Sequence, residues 1–297
     1  MTLRNSLFAV SGKASFLDAR RDMSGLFVCD KTTMLPIAGI LDRSQDNLVT
    51  GRSDSMSVTV HPFNAVLNRY GALLIQNDGD VKVPLSAAPS ANSRIDVVYV
   101  KQNEERSPMS DGSDVPEFGV VNGVAAATPV APSVPDGALA LAQVLLPAGV
   151  SNTAAAGVVI TQTYIGAAMK GDKLQVQTSA QRDALLDVPD GTLLHNVGDN
   201  CDYVRSDDAW KPKRKTITFG NVGENKVIGT VDNLGNISHL YGIARLGSGS
   251  TVPVPFLHPN YPNRGVSFSI DTSGQVYILY GSENTLQGGH ITVCWEY

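Results

Sequence analysis

Residues Ile291-Thr-Val-Cys-Trp-Glu-Tyr297 alternate apolar and polar side chains, and Val266-Ser-Phe-Ser-Ile270 has the same period of two. Because successive side chains of a β-strand point to opposite faces, this pattern predicts strands with one buried and one solvated face. Trp295 is in phase with Ile291 and Val293, so we expect its indole in a core rather than at a ligand.

The same alternation recurs earlier in the chain. It predicts four strands: Met56-Ser-Val-Thr-Val60, Ala72-Leu-Leu-Ile-Gln76, Arg94-Ile-Asp-Val-Val-Tyr-Val100 and Leu139-Ala-Leu-Ala-Gln-Val-Leu-Leu146. Turn-forming stretches, such as Asn77-Asp-Gly79 and Pro135-Asp-Gly137, follow or precede them. Short strands at this spacing favour sandwiches or barrels over βαβ units, so we predict a mainly β, multi-domain protein.

Helix signals are few. Thr178-Ser-Ala-Gln181 has the form of a capping box, which predicts a short helix through Leu186, ended by Pro189. A second helix is a weaker expectation for residues 1–8.

Two changes in composition divide the chain. Residues 120–149 contain no Lys or Arg and only Asp136 as a charge, and Lys211-Pro-Lys-Arg-Lys215 reads as a solvated linker. We predict three domains, with boundaries near residues 1–168, 169–215 and 216–297.

The composition limits the classes of function. The 297 residues carry a net charge of −5 and 42% of them are apolar, which argues against disorder and against nucleic acid as the ligand. Cys29, Cys201 and Cys294 lie far apart, so we expect buried or half-buried thiols and neither a disulfide framework nor a zinc site. We expect no secretory signal in residues 1–10, and residues 138–150 are too short and interrupted for membrane insertion.

Motifs of common enzymes are not found. The sequence has no GxSxG, HExxH, Walker or GxGxxG pattern. The acidic clusters at 183–190 and 199–208 read as solvated loops, and a calcium site at Asp199-Asn-Cys-Asp202 would lack the EF-hand spacing. The five histidines form no i, i+4 pair. We therefore predict no enzyme activity, no catalytic residue, no metal ligand and no cofactor.

Aromatic side chains concentrate at the C-terminal end. Residues 216–297 hold five of the nine tyrosines and only eight charged residues. Aromatic faces with neutral and amide partners are typical of sugar-binding surfaces, and Tyr277 and Trp295 belong to the same region. The candidate ligand-binding residues, mostly in loops at 260–264 and 282–284, are Tyr241, Tyr261, Asn263, Arg264, Tyr280, Glu283 and Asn284.

Three segments form a recognisable set: Val58-Thr-Val-His-Pro-Phe-Asn-Ala-Val66, Ser93-Arg-Ile-Asp-Val-Val-Tyr-Val100 and Pro135-Asp-Gly-Ala-Leu-Ala-Leu-Ala-Gln-Val-Leu-Leu-Pro-Ala-Gly149. Together they resemble the N-terminal domain of minor tail and baseplate proteins of tailed bacteriophages. In that family an Arg-Ile-Asp strand and a Gly-Ala-Leu-Ala-Leu-Ala strand pair within one virion-attachment domain. The resemblance implies that residues 1–168 contact other tail or baseplate proteins.

The remaining segments are similar to two further modules of phage tail fibres. Ser179-Ala-Gln-Arg-Asp-Ala-Leu185, Pro189-Asp-Gly191, Tyr203-Val204 and Ala209-Trp210 resemble a short neck or tag module. Residues 216–297 resemble the terminal β-sandwich head, of jelly-roll type, of receptor-binding proteins. The resemblance implies a homotrimer located at the virion tail tip or baseplate and assembled in the cytoplasm of the bacterial host.

The sequence thus indicates a protein that attaches the virion to a host cell-surface polysaccharide by multivalent, non-covalent binding. Two alternatives stay open. A purely structural baseplate or tail-tip protein would use the same aromatic β surfaces to contact another protein. A polysaccharide-degrading tail enzyme would need two carboxylates about 5–10 Å apart in a cleft.

Overall fold

A computed structural model describes residues 15–41, 47–221, 226–247, 249–255, 266–280 and 286–296. Strands account for 47% of the structure and helices for 7%, and the strands form several sheets, so the predicted mainly β class is confirmed. The chain divides into two compact units. Unit 1 comprises Met1–Val176 and Asp187–Pro189, and unit 2 comprises Gln177–Leu186 and Asp190–Tyr297.

The described residues of unit 1 form one helix and three antiparallel sheets. Its elements are α1 (Phe16–Ser24), β1 (Gly39–Ile40), β2 (Val49–Gly51), β3 (Ser57–Val60), β4 (Phe63–Leu67), β5 (Leu73–Asn77), β6 (Val81–Pro84), β7 (Arg94–Gln102), β8 (Pro116–Val121), β9 (Leu139–Leu146), β10 (Val159–Gln162) and β11 (Lys173–Val176). The sheet orders are β1-β4-β5, β2-β3-β6 and β10-β9-β7-β8. A core that includes Phe63, Leu141 and Leu146 is closed to solvent.

Strands β7 and β9, the two strands of the expected pair, are hydrogen-bonded neighbours. Arg94 and Asp96 lie two residues apart on β7, so their side chains share a face. The fully buried Asp96 carboxylate accepts hydrogen bonds from Arg94 Nε at 2.9 Å and from Gly123 N at 3.0 Å. Arg94 also donates to the carbonyl oxygens of Ser86 and Ala87, each at 2.7 Å. The Arg-Ile-Asp sequence therefore ties two loops to this sheet.

Unit 2 contains one helix and nine strands among the described residues. Its elements are α2 (Ser179–Ala184), β12 (Leu193–Asn196), β13 (Cys201–Ser206), β14 (Ala209–Phe219), β15 (Lys226–Thr230), a 3₁₀ turn (Leu234–Asn236), β16 (Ile237–Leu246), β17 (Thr251–Val254), β18 (Val266–Ile270), β19 (Gln275–Tyr280) and β20 (Leu286–Trp295). The larger sheet of this unit has the order β12-β13-β14-β20-β16-β17, and the smaller sheet has the order β15-β19-β18.

The two sheets of unit 2 share one apolar core. Ile291, Val293 and Trp295 from the larger sheet pack in the same cluster as Val276 and Ile278 from the smaller sheet. Trp295 is only 4% exposed, and its indole Nε1 donates to the carbonyl oxygen of Asp232 at 2.9 Å. The predicted burial of Trp295 is confirmed.

The predicted helix after Thr178 is confirmed in shortened form. The Thr178 hydroxyl accepts from Gln181 N at 3.2 Å, and Gln181 Oε1 accepts from Gln177 N at 2.7 Å. The helix ends at Ala184 because the following Leu185 leaves helical geometry. A helix that the sequence analysis missed, α1, begins with a capping box between Ser15 and Asp18.

The predicted linker at residues 211–215 is wrong, because these residues belong to strand β14. A bulge opposite Asp202 and Tyr203 turns Lys213 and Arg214 to solvent, while Pro212 is buried. The strand is continuous across the expected boundary at 215/216, and the structure has two compact units where the sequence predicts three segments. The expected helix at 1–8 lies outside the described residues.

The structure also shows the environment of the three cysteines and the length of the helices. Cys201 is buried, and Cys29 and Cys294 are half-buried, as predicted for free thiols. Among the helices of the described ranges, none is long and apolar enough to cross a membrane.

Candidate ligand-binding surface

Strand β16 presents two large side chains to solvent on the side of the sheet that faces away from the core. Tyr241 is 49% exposed and Ile243 is 41% exposed, whereas Gly242 and Ala244 are buried. Residues two apart on a strand are separated by about 7 Å, so the tyrosine ring and the isoleucine form one continuous patch. A Cβ at Gly242 would lie 2.2 Å from the carbonyl oxygen of His290, so glycine is needed for the close approach of β16 and β20.

The neighbouring strands extend this patch with neutral polar groups. Tyr241 pairs with Thr292, which pairs in turn with Thr216, and the two threonine hydroxyls are 3.4 Å apart. Ile243 pairs with His290 in the same way. Side chains of paired residues lie on the same face of a sheet, within about 5.5 Å at the Cβ atoms.

We call this surface the Tyr241 face. It consists of seven residues on four adjacent strands, of which only Thr292 is buried: Thr216, Thr218, Tyr241, Ile243, Pro253, His290 and Thr292. When His290 is counted as neutral, none of these seven residues carries a formal charge. Arg245 lies exposed at one end, and Arg214 at the other end donates to Asp202 at 3.0 Å. The face therefore combines an aromatic ring with hydroxyl and imidazole groups in a nearly neutral field.

The structure places the predicted site residues unequally. Tyr241 is exposed at the centre of the Tyr241 face. Tyr280 ends strand β19, where its backbone pairs with Val266. The other five candidates lie outside the described residues: Tyr261, Asn263, Arg264, Glu283 and Asn284.

Tyr277 is held by its own turn rather than presented to a ligand. Its hydroxyl lies 2.8 Å from Gln275 Oε1 and 3.1 Å from Asp271 Oδ2. Desolvation, together with the nearby Asp271 carboxylate, raises the pKa of Tyr277. The Ser273 hydroxyl and backbone N–H groups lower the pKa of Asp271, so this carboxylate stabilises the turn before β19.

Sequence reasoning missed the other six residues of the Tyr241 face: Thr216, Thr218, Ile243, Pro253, His290 and Thr292. A signal for the last two was present, because they occupy the polar phase of the alternation that assigns Ile291 and Val293 to the core. No such signal was present for Thr216 and Thr218, because the sequence predicted that a solvated linker ends at the preceding residue, Lys215.

The acidic and histidine clusters are engaged in local structure. Asp199 accepts from the Tyr203 hydroxyl at 2.7 Å and from Cys201 N at 3.1 Å. His195 Nδ1 lies 2.9 Å from Asp202 Oδ1. Within the ranges that the structure describes, no group of three or more His, Cys, Asp or Glu side chains is arranged to hold a metal ion.

Comparison with known proteins gives no match to a protein-family model, to a curated protein or to a solved structure. The chemistry of the described surfaces therefore carries the functional conclusion.

Proposed function

We propose that the chain is an attachment protein of a tailed bacteriophage that binds a neutral saccharide on the host cell surface without breaking a covalent bond. Residues 1–168 anchor it to tail or baseplate proteins, residues 169–215 form a neck, and residues 216–297 form a jelly-roll-like head. The Tyr241 face is the observation that carries the proposal.

The Tyr241 face has the chemistry that a sugar requires. The C–H groups on one side of a sugar ring lose contact with water when they stack on a tyrosine ring, which is favourable. The hydroxyls of Thr216 and Thr218 both donate and accept hydrogen bonds, as do sugar hydroxyls. Because the face is an open sheet, it suits a polysaccharide chain better than an enclosed small molecule.

A homotrimer would make such weak binding useful. A single shallow face holds a sugar weakly, because few polar groups are desolvated together. Linking several heads to one surface raises the overall avidity by about 10²–10⁴-fold without any new contact. Symmetric assembly also covers exposed strand edges of small β modules.

The packing of unit 1 supports an anchoring role for its rigid sheets. The buried Arg94–Asp96 pair holds loops against strand β7, so a partner that docks there meets a preorganised surface. The identity of that partner as a virion protein rests on the resemblance of the three quoted segments.

One observation favours the structural alternative. Ile243 is exposed beside Tyr241, and an aliphatic side chain next to an aromatic ring is also typical of a protein–protein contact. Under this alternative the Tyr241 face contacts another virion protein and binds no saccharide.

The test is adsorption of the fluorescently labelled full chain to a panel of bacterial cells and to their purified wall polysaccharides. We expect Tyr241→Ala to lower adsorption to both by about tenfold, the effect of losing one stacking contact of about 1.4 kcal/mol. The control is Leu74→Ala, which removes a side chain of unit 1 that is 51% exposed and should leave adsorption unchanged. Equal adsorption of Tyr241→Ala and the unsubstituted chain contradicts the proposal, and release of reducing sugar would indicate an enzyme.

A further inference from the structure

Unit 2 contains a cleft of about 160 Å³ on the core-facing side of its larger sheet. Its lining includes Arg182 of α2, Tyr203 of β13, Trp210 and Lys215 of β14, and Trp295 of β20, with Asp232 at the loop before β16. The Tyr241 face lies on the opposite side of the same sheet, so a ligand on that face does not enter the cleft.

The strand register explains why a cleft forms here. Cys201 pairs with Lys215, and Lys215 pairs with Val293, so the Lys215 side chain lies on the face that carries the core. Ile217, two residues further along β14, is buried in the apolar cluster. The apolar core thus stops at Lys215, and the same face continues as a polar-lined depression.

Lys215 provides unused donors. Its ammonium donates to the carbonyl oxygen of Thr230 at 3.0 Å. An ammonium has three N–H donors, and within the described residues Lys215 has no carboxylate within ion-pair distance, so two donors are available to a ligand. Asp232 and Asn233 are exposed at the rim and supply acceptors, and the amide of Asn233 also supplies donors.

The wall formed by Arg182 and Tyr203 is preorganised. The guanidinium carbon of Arg182 lies 4.5 Å from the centre of the Tyr203 ring, and Arg182 Nε donates to Asp183 at 2.8 Å. The Tyr203 hydroxyl donates to Asp199. Burial raises the pKa of Tyr203, and it raises the pKa of Cys201 to about 12, so both groups stay neutral at physiological pH. A rigid wall lowers the entropy lost on binding.

We propose that this cleft binds one neutral sugar residue. Its volume is well below the about 300–1,000 Å³ of sites for drug-sized ligands, which limits the ligand to one small ring. The lining mixes donors and acceptors, as a ring with several hydroxyls requires. The positive charge of Lys215 is offset by Asp232 in the same lining, and Arg182 is paired with Asp183, so no net charge on the ligand is needed.

The two tryptophans give this proposal a selective readout. Trp210 and Trp295 are the only tryptophans in the chain, and both line the cleft. The emission of the full chain therefore reports entry of a ligand into the cleft, whereas a ligand confined to the Tyr241 face leaves it unchanged. This separates failure of the cleft from failure of the proposed attachment function.

The experiment titrates the full chain with glucose, galactose, mannose, rhamnose, N-acetylglucosamine and glucuronate, each to about 100 mM, well above a millimolar Kd. Glycerol is the control for hydroxyl groups without a ring. We expect at least one neutral sugar to shift the tryptophan emission saturably, with a Kd near millimolar. No saturable shift with any of these sugars overturns the proposal, and tighter binding of glucuronate than of every neutral sugar overturns the neutral assignment.

Two variants locate the binding. Lys215→Gln removes a charged donor and should raise the Kd for the sugar by about tenfold or more. Lys213→Gln changes the exposed lysine two residues earlier, which lies outside the cleft, and should leave the Kd unchanged. If Lys215→Gln does not fold, Asp232→Ala at the exposed rim takes its place as the test variant. We expect it to lower the affinity for the sugar by about fivefold. Unchanged Kd values in the folded cleft variants overturn the proposal.

Discussion

Unit 1 and the part of unit 2 formed by residues 216–297 differ in where their charged side chains lie. Unit 1 buries ion pairs inside its structure: Asp96 is fully buried with Arg94, and Asp111 bridges Arg69 and Lys101 at side chains no more than 12% exposed. Within unit 2, the core of residues 216–297 around Ile291 and Trp295 is apolar. Buried ion pairs hold loops in place in unit 1, whereas no charged side chain is buried among the described residues of 216–297.

The largest expected effect tests the buried ion pair of unit 1. Asp96→Ala leaves the Arg94 guanidinium without its carboxylate in a buried site, which should lower the free energy of unfolding of unit 1 by about 3–5 kcal/mol. Urea unfolding followed by far-UV circular dichroism measures it, because both tryptophans belong to unit 2 and their emission follows that unit alone.

The control for this variant is Asp54→Ala. Asp54 pairs with Arg52 at 2.6 Å, but the two side chains are 54% and 33% exposed, so loss of Asp54 should lower the free energy of unfolding far less than loss of Asp96. Equal costs for the two variants would show that burial of the pair does not decide the stability of unit 1.

The second effect tests the apolar core of unit 2. Ile291→Ala removes a side chain with no exposed surface and should cost about 2–5 kcal/mol. The loss should appear in urea unfolding followed by tryptophan emission. Lys213→Ala on the adjacent strand, whose side chain is exposed, should change stability by less than about 0.5 kcal/mol. If Ile291→Ala lowers the free energy of unfolding as little as Lys213→Ala does, the apolar core does not determine the stability of unit 2.

A third, smaller effect should appear in acid. The hydrogen bond from Arg69, and another from Lys101, lower the pKa of Asp111 well below its ordinary value. A carboxylate whose pKa is lower in the folded state stabilises the fold above its unfolded pKa of about 3.9 and loses that contribution as the pH falls towards the folded value. Unit 1 should therefore lose stability below about pH 4.

The Asp111→Asn variant isolates this carboxylate from the others. Its stability at neutral pH should already be lower, and its further loss between about pH 4 and pH 2 should be smaller than that of the unsubstituted chain. Thermal unfolding at several pH values measures both. Parallel stability curves for the two chains would exclude Asp111 as the source of acid sensitivity.

The smallest effect concerns the cap of helix α2. Thr178→Ala removes the side-chain acceptor for Gln181 N and should cost about 1 kcal/mol. Thr178→Ser keeps the hydroxyl and serves as the matched control. Because α2 carries Arg182, the alanine variant should also weaken sugar binding in the cleft slightly, which the tryptophan titration measures. If the Thr178→Ala chain is as stable as the Thr178→Ser chain, the side-chain cap does not stabilise α2.

Much of the strand content was predictable, because one face of most strands is buried. Residues 139–146 and 266–270 alternate or run apolar in the sequence and form β9 and β18 with the same bounds. Helix α1 was missed because Phe16–Ser24 is short and has few apolar residues, although Ser15 and Asp18 form a capping box.

The candidate site was less predictable. Tyr241 could be named from its residue type, but its partners Thr216 and Thr292 come from strands far apart in sequence and meet only through register. The charges at 211–215 misled because a run of basic residues was taken as wholly solvated. In a regular strand Lys213 and Lys215 would share a face, but the extra residue of the bulge shifts the alternation, so Lys215 reaches the cleft while Lys213 faces solvent.

Strand β14 also has a mechanical consequence. It is hydrogen-bonded to β13 from residue 209 to residue 215 and to β20 from residue 214 to residue 219. Tension applied along this strand runs perpendicular to those hydrogen bonds, so they are loaded together in shear and cannot open one after another. Under the proposed attachment function, residues 216–297 held by such a strand would resist pulling far better than a domain joined by a flexible linker, and a virion tethered to a moving cell would need that resistance.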